Sequence, residues 1–218
     1  VHLAPDLKLF FTDHMGVAMP KKDWFHRWPY RKVARLFSIS QATHALNLEA
    51  FPLPPERITP LYNGIDLTPY QNQLTIEQKQ KARLAMGLNT QGLLIGIPGR
   101  INQGKGQMQW VEALACLAKK RLDEDWHGVV IGEAADRDAE PGGFKEQLIE
   151  RVTALGLDQR ISFLGFRSDM PRCLQALDIA TIPSAYESFG LSVIESMAAG
   201  CAVIGAKSGA IPELINPD

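Results

Sequence analysis

From Gly92 to the end of the chain, short apolar runs alternate with longer stretches of helical periodicity. Strands are expected at 93–98, 128–131, 161–164, 178–182 and 202–205, and helices at roughly 106–121, 143–155, 168–177 and 189–199. A strand followed by a helix and then another strand returns parallel to the first through a right-handed crossover. The pattern therefore specifies an α/β fold, a Rossmann-like parallel sheet with helices on both faces. Ligands of open sheets of this kind bind at the carboxyl ends of the strands, so the turns after the strands are where chemistry is sought.

Two such turns stand out. The first runs from Ser184 to Gly200, directly after the apolar run that ends in Ile182-Pro183. Ser188 is placed to cap the following helix and Gly200 to stop it. A helix start carries unpaired N–H groups and partial positive charge, so the backbones of Phe189, Gly190 and Leu191 can receive a phosphate, with Gly190 leaving room for close approach. Glu187 stands before the helix and Glu195 about two turns into it. Two glutamates at this spacing also occur on solvated helix faces. Flanking a phosphate site, they suit a ligand with polyols at both ends of a phosphate, which is the shape of a nucleotide-sugar.

The second turn is Gly96-Ile97-Pro98-Gly99-Arg100-Ile101-Asn102-Gln103-Gly104-Lys105-Gly106. The dinucleotide fingerprint G-x-G-x-x-G is absent. Gly99, Gly104 and Lys105 approach the pattern of a nucleoside triphosphatase loop, but Gly106 occupies the place of its magnesium-binding hydroxyl residue. What remains is a planar guanidinium on Arg100 and a mobile ammonium on Lys105, framed by glycines, which together can neutralise a diphosphate.

The stretch around Glu187, Phe189-Gly190, Glu195, Met197-Ala198 and Gly200, with Gly209-Ala210-Ile211-Pro212-Glu213-Leu214-Ile215 downstream, resembles the Glu-(seven residues)-Glu signature of retaining glycosyltransferases of the GT-B fold, in particular glycosyltransferase family 4, the glycosyl transferases group 1. The resemblance implies that residues 1–68 are the last part of an N-terminal, acceptor-side Rossmann-like domain, 69–91 a linker and 92–218 a donor-binding domain cut short at its C-terminus. It implies transfer of a sugar from a nucleoside diphosphate sugar to an acceptor hydroxyl with retained anomeric configuration. The expected setting is polysaccharide, lipopolysaccharide or glycolipid biosynthesis. In that reading Arg100 and Lys105 stabilise the leaving diphosphate, each such preorganised group being worth roughly 3 kcal/mol. Glu187 holds hydroxyls of the transferred sugar, Glu195 the ribose, and His14 lies beside the donor sugar. Gly99 of the glycine-rich turn belongs to the donor site, and the base lies near Gly132-Glu133 and Gly165-Phe166-Arg167, where this chain has Gly132-Glu133-Ala134 in place of the frequent Gly-Asp-Gly. No carboxylate is evident for a double displacement, so same-face attack is expected. Neither a metal nor a cofactor is implied; the nucleoside diphosphate sugar is a substrate. The alternatives are a GT-B-related nucleotide-sugar epimerase or phosphorylase, or a fragment that binds nucleotide without turnover.

Ahead of this region, residues 7–12 read as a buried strand delivering Asp13-His14 to its end. Residues 21–37, KKDWFHRWPYRKVARLF, hold six Lys or Arg, one Asp and five interleaved aromatics. They suit either peripheral contact with a membrane or a phosphorylated acceptor, or a helix burying its aromatic side on its own domain, with Pro29 opposing one uninterrupted interfacial helix. Nucleic acid is not expected, since no recognition module accompanies the patch and 23 Lys plus Arg against 24 Asp plus Glu leave the chain near neutrality. Residues 36–40 form another strand, with Ser40 as a helix cap, and Asn63-Gly64-Ile65-Asp66 a tight turn. Cys116, Cys173 and Cys201 lack metal-ligand spacing and are expected as buried thiols in a reducing compartment. Asp123-Glu124-Asp125 reads as a solvated turn rather than a metal motif. With no apolar run long enough to span a bilayer and no signal peptide, the expected location is the cytoplasm, at the inner face of its membrane if residues 21–37 make contact there. A first residue other than Met suggests an internal fragment of a longer protein.

Overall fold

The computed structural model describes residues 7–17, 19–88, 91–120 and 125–215. Its contacts group the chain into two compact units: Val1–Gly64 with Tyr186–Leu191 and Lys207–Asp218, and Ile65–Ala185 with Ser192–Ala206. Asp123 and Glu124 lie outside the described residues.

The first unit is built on β1 (Leu9–Asp13), α1 (Trp24–Tyr30), β2 (Val33–Ser38), α2 (Gln41–Ala50) and β3 (Ile58–Pro60), the strands forming a parallel sheet in the order β1-β2-β3. Asp23 caps α1, its carboxylate accepting from the Phe25 and His26 N–H groups. Ser40 caps α2 in a reciprocal box with Thr43, which satisfies two otherwise orphaned donors. Val33, Leu36, Ala50, Phe51, Leu53 and Ile58 form the core of this unit. Residues 7–12 have the apolar composition expected of a buried strand, and among the described residues β1 pairs with β2 alone. Leu9, Phe10 and Phe11 are exposed and only Asp13 is buried. Residues 58–60 pair with β2 from Leu36↔Ile58 to Ser38↔Pro60.

The second unit begins with α3 (Ile76–Ala85), capped by Thr75 in a box with Gln78. It continues as β4 (Leu93–Pro98), α4 (Gln107–Lys120), β5 (Trp126–Ile131), α5 (Phe144–Ala154), β6 (Ile161–Phe163), α6 (Met170–Ala176), β7 (Ile179–Ile182), α7 (Leu191–Ala198) and β8 (Ala202–Gly205). The five strands are all parallel in the order β6-β5-β4-β7-β8. Ile95, Ile97, Trp110, Val111, Leu114, Val130, Leu148 and Val152 interlock between this sheet and α4 and α5, where a fully buried Leu or Ile side chain contributes about 1.5–3 kcal/mol. Arg83 of α3 closes the opposite end of the sheet. Its guanidinium donates to the carbonyls of Ala176 and Gly92 and to the Asp178 carboxylate, which also accepts from Leu94 N–H. Cys173 is buried, but Cys116 sits on the solvent side of α4, contrary to expectation. The last element among the described residues is α8 (Ile211–Leu214), part of the first unit.

Candidate donor site

In the second unit the strand order reverses between β4 and β7: successive strands step one way from β4 to β5 and β6, then return to β7 and β8 on its other side. The carboxyl ends of β4 and β7 therefore frame the crevice where such sheets take ligands. The glycine-rich turn leaves β4 at this point. Gly99 N–H donates to Ile131 carbonyl, Ile101 N–H to Glu133 carbonyl, and buried Gln107 ties the Arg100 carbonyl with its side-chain amide at 2.9 Å. Asn102 folds residues 103–105 into a helical turn by accepting from Gly104 N–H. The turn is held against the end of β7 by Ala185 N–H, which donates to the Gly104 carbonyl at 2.9 Å. Gly106 has φ +77°, and a Cβ there would lie 2.3 Å from the Pro183 carbonyl oxygen. Two turns read separately in the sequence thus meet. Arg100 is exposed, with no ion pair to its guanidinium among the described residues, and Lys105 is partly buried.

Two neighbouring strand ends complete this rim. Gly132 bridges to Gly165, and a Cβ on Gly132 would lie 2.0 Å from the Gly99 carbonyl oxygen; its first duty is to let the two loops touch. The Glu133 carboxyl is held below the usual carboxylate range, first by its hydrogen bond from the Lys145 ammonium and next by Ala134 N–H. Phe166 follows with 79% of its surface exposed. Its neighbour Arg167 is engaged by Asp169 through two hydrogen bonds of 2.8 Å.

Glu195, on α7, is half-buried, and burial pushes its carboxyl above the ordinary range. No hydrogen bond reaches that carboxylate among the described residues. Buried Tyr70 is pushed up by burial and then by the charge of Glu195, which places the two within electrostatic reach. Sequence reasoning did not single out Tyr70.

The first unit gathers His14 and residues 187–191. Asp13, buried at the end of β1, accepts from the N–H groups of Met15 and Gly16 and so shapes the turn that presents exposed His14. That turn is tied to the other by Ser188, whose hydroxyl donates to the Met15 carbonyl at 3.1 Å. The Ser40 hydroxyl in turn donates to the Ser188 carbonyl at 2.6 Å. Ser188 is therefore a cross-link rather than the expected cap: Gly190 adopts φ +99°, and α7 begins only at Leu191. Phe189 is buried and packs on Tyr62 with ring centroids 6.2 Å apart, leaving its backbone as the group it can offer a ligand. The Glu187 carbonyl accepts from Ala210 N–H at 2.8 Å. Glu213, one turn further on, accepts from the N–H groups of Gln41 and Ala42, both at 2.8 Å, and from the Tyr62 hydroxyl at 3.0 Å. Asp13, Ser40 and Glu213 thus support the candidate residues from behind; Glu213 lay in plain view within the downstream motif.

A family model described as glycosyl transferases group 1 matches residues 78–218. The lipopolysaccharide core biosynthesis mannosyltransferase LpsB of Rhizobium meliloti is 33% identical over 157 residues, covering 72% of this chain and 42% of that protein. LpcC of Rhizobium leguminosarum bv. viciae, also named a lipopolysaccharide core biosynthesis mannosyltransferase, is 31% identical over 209 residues, 96% of this chain and 54% of that protein. Among solved structures, Anabaena HepE in complex with UDP and glucose superimposes with a TM-score of 0.79 at 26% identity, covering 96% of this chain and 55% of that one. The chain thus spans about half the length of these relatives, and its parallel sheets are those of the GT-B fold.

Proposed function

The chain belongs to the glycosyl transferases group 1 family, and from that premise we propose that its protein transfers a sugar from a nucleoside diphosphate sugar to an acceptor hydroxyl, with retention, in lipopolysaccharide or related glycan assembly. The observation that carries this reading is the glycine-framed turn of Arg100 and Lys105 pinned at the strand-order reversal by the Ala185–Gly104 hydrogen bond. As the bond from the anomeric carbon to the diphosphate breaks, negative charge grows on the leaving group. The guanidinium of Arg100 and the ammonium of Lys105 neutralise it, with the backbone N–H groups of residues 189–191 as further donors. Glu187 orients hydroxyls of the transferred sugar, His14 lies beside it, and Glu195 accepts from the ribose. Exposed Phe166 offers a flat face to the base, with Gly99 and Gly132 keeping the floor beneath it low. No side chain is assigned as nucleophile, and the acceptor oxygen attacks the face that the diphosphate leaves. The acceptor is a saccharide or a lipid-linked glycan, met at a membrane surface through residues 21–37. Named relatives support this reading: two are mannosyltransferases of lipopolysaccharide core biosynthesis, and one solved neighbour is a complex with UDP and glucose.

Calorimetric titration of the full protein with UDP, GDP and ADP, alone and as their common sugar derivatives, tests it. Saturable binding of one nucleotide, weakened about a hundredfold by Arg100→Ala through loss of a charge-assisted contact worth about 3 kcal/mol, is the expected result. Undiminished binding and turnover in Arg100→Ala would remove the diphosphate assignment. The anomeric configuration of the product, read by NMR, decides retention.

A further inference from the structure

Helix α4 buries Gln107, Trp110, Val111, Leu114 and Ala115. They stand at the spacing of the stripe that a helix turns toward a core, and all but the first are apolar. Gln107 is the exception, a polar residue at a fully buried core position. Its side-chain Nε2 donates to the Arg100 carbonyl at 2.9 Å, while its Oε1 is buried with no partner among the described residues. An orphaned buried acceptor costs stability. A Leu or Met in this place would continue the stripe without that cost, so packing does not account for the residue and its one hydrogen bond must.

That bond completes a clamp on one peptide group. Ile101 N–H donates to the Glu133 carbonyl at 3.1 Å, and buried Ile101 bridges Ala134. The peptide joining Arg100 to Ile101 is thus held at both of its polar groups, the N–H by the turn after β5 and the carbonyl by α4. The first of these bonds joins backbone to backbone and survives a change of side chain; the second depends on the residue at 107. Gln107 is itself fixed in place. It follows Gly106, whose left-handed φ and close approach to Pro183 set where α4 starts, and Trp110 N–H donates to the Gly106 carbonyl at 3.0 Å. A long side chain rooted on a clamped peptide samples fewer positions than one on a moving turn. Its guanidinium then has less ordering left to do when a ligand arrives.

We propose that Gln107 is a positioning residue for Arg100: its amide locks the Arg100–Ile101 peptide and, through it, aims the guanidinium at the diphosphate of the donor. The inference rests on the transferase reading for the ligand that Arg100 meets, and on the geometry of the turn for the lock.

Calorimetric titration of the full protein with the preferred nucleoside diphosphate, its nucleoside and inorganic pyrophosphate tests it, together with kcat and KM for the donor. Gln107→Met keeps the length of the side chain and the helix and removes the donor. It is expected to weaken nucleoside diphosphate and pyrophosphate about tenfold, the worth of one hydrogen bond, and to leave the nucleoside, which has no phosphate, unaffected. The fall in kcat should exceed the rise in KM, because charge on the leaving group is largest in the transition state. In an Arg100→Ala background the same change should cost less than about twofold, since a residue that acts through Arg100 has nothing left to aim. Equal losses in both backgrounds and for the nucleoside, as a merely structural residue would give, overturn the proposal, and so does parental diphosphate affinity in Gln107→Met. Thr181→Val controls for general loosening: buried Thr181 donates to the Gly96 carbonyl of β4 at 2.8 Å, so a buried hydrogen bond is lost without touching Arg100. Parental affinity is expected there, and a loss equal to that of Gln107→Met also overturns the proposal. Should Gln107→Met not fold, Gln107→Asn, whose amide is drawn one methylene back from the carbonyl, takes its place with the same expectations. The two readings fail separately. Nucleotide binding that Gln107→Met leaves unchanged removes the positioning role alone. Pyrophosphate binding weakened by Gln107→Met, with no nucleotide bound, keeps that role and removes the transferase reading, and binding of neither removes both.

Discussion

Glu195 offers the sharpest test of whether the second unit is shaped for a ligand or for its own stability. Its carboxylate is half out of water and receives no hydrogen bond among the described residues, and burial alone pushes its pKa up. A carboxyl whose folded pKa lies above its unfolded one binds its proton more tightly in the native state. Below the unfolded value, about 4.3, both states are protonated and the residue costs nothing. As pH rises through the folded value the native state must hold an unpaired charge, and stability falls. Glu195→Gln removes the charge and keeps the shape. The amide is left as short of partners as the carboxylate was, so what the substitution relieves is only the extra cost of desolvating a charge rather than a neutral polar group, which half exposure holds to about 1 kcal/mol. For a protein of this size that raises the melting temperature by roughly 2–4 °C at neutral pH, and by nothing near pH 4. Nucleotide affinity should move the other way: a neutral amide replaces a charged acceptor, losing at least about 1.4 kcal/mol, or tenfold. Calorimetric melting at the two pH values, with titration of the preferred nucleotide at neutral pH, measures both. A variant that is less stable than the parent at neutral pH, or equally stabilised at both, would refute the desolvation argument. A stabilised variant with unchanged affinity would show that the charge is not kept for the ribose.

Gly106→Ala forces a Cβ to 2.3 Å from the Pro183 carbonyl at a left-handed φ, so a loss of about 3 kcal/mol is expected, seen as a melting temperature lowered by roughly 6–12 °C; an unchanged melt would contradict the contact between the two turns. Glu213→Gln keeps one acceptor for the two N–H groups at the start of α2, costing about 1 kcal/mol. Tyr62 is raised above the usual phenol value first by burial and then by its hydrogen bond and charge contact with Glu213. Spectrophotometric titration of Glu213→Gln should therefore show Tyr62 ionising at lower pH than in the parent, and an unmoved titration would deny the pairing.

What the sequence shows well is what local periodicity controls. All five strands of the second unit, and its helices α4 to α7, fall near their expected positions because each has its own apolar pattern and stop signals. The strand order does not follow from such patterns. The reversal between β4 and β7 arises from crossovers, and it is the reversal that brings Gly104 to Ala185. One expectation fails because partners far along the chain decide it. Ser188 has the residue type of a cap, yet its bonds go to Met15 and from Ser40, 173 and 148 residues away along the chain.

Composition names candidates, and long-range hydrogen bonds decide between them. Gly132 is recognisable as a residue at a strand end, but the 2.0 Å that separates a Cβ there from the Gly99 carbonyl shows why no other residue fits. Glu133 and Glu195 are both glutamates near strand ends or helices of one unit. Lys145 satisfies the first, and nothing among the described residues satisfies the second. A carboxylate already neutralised by a lysine has little left to offer a ribose, whereas one that is desolvated and unpaired gains from any hydroxyl that reaches it. That contrast, invisible in the sequence, supports the proposal that the ribose meets Glu195, as the resemblance implies, rather than Glu133.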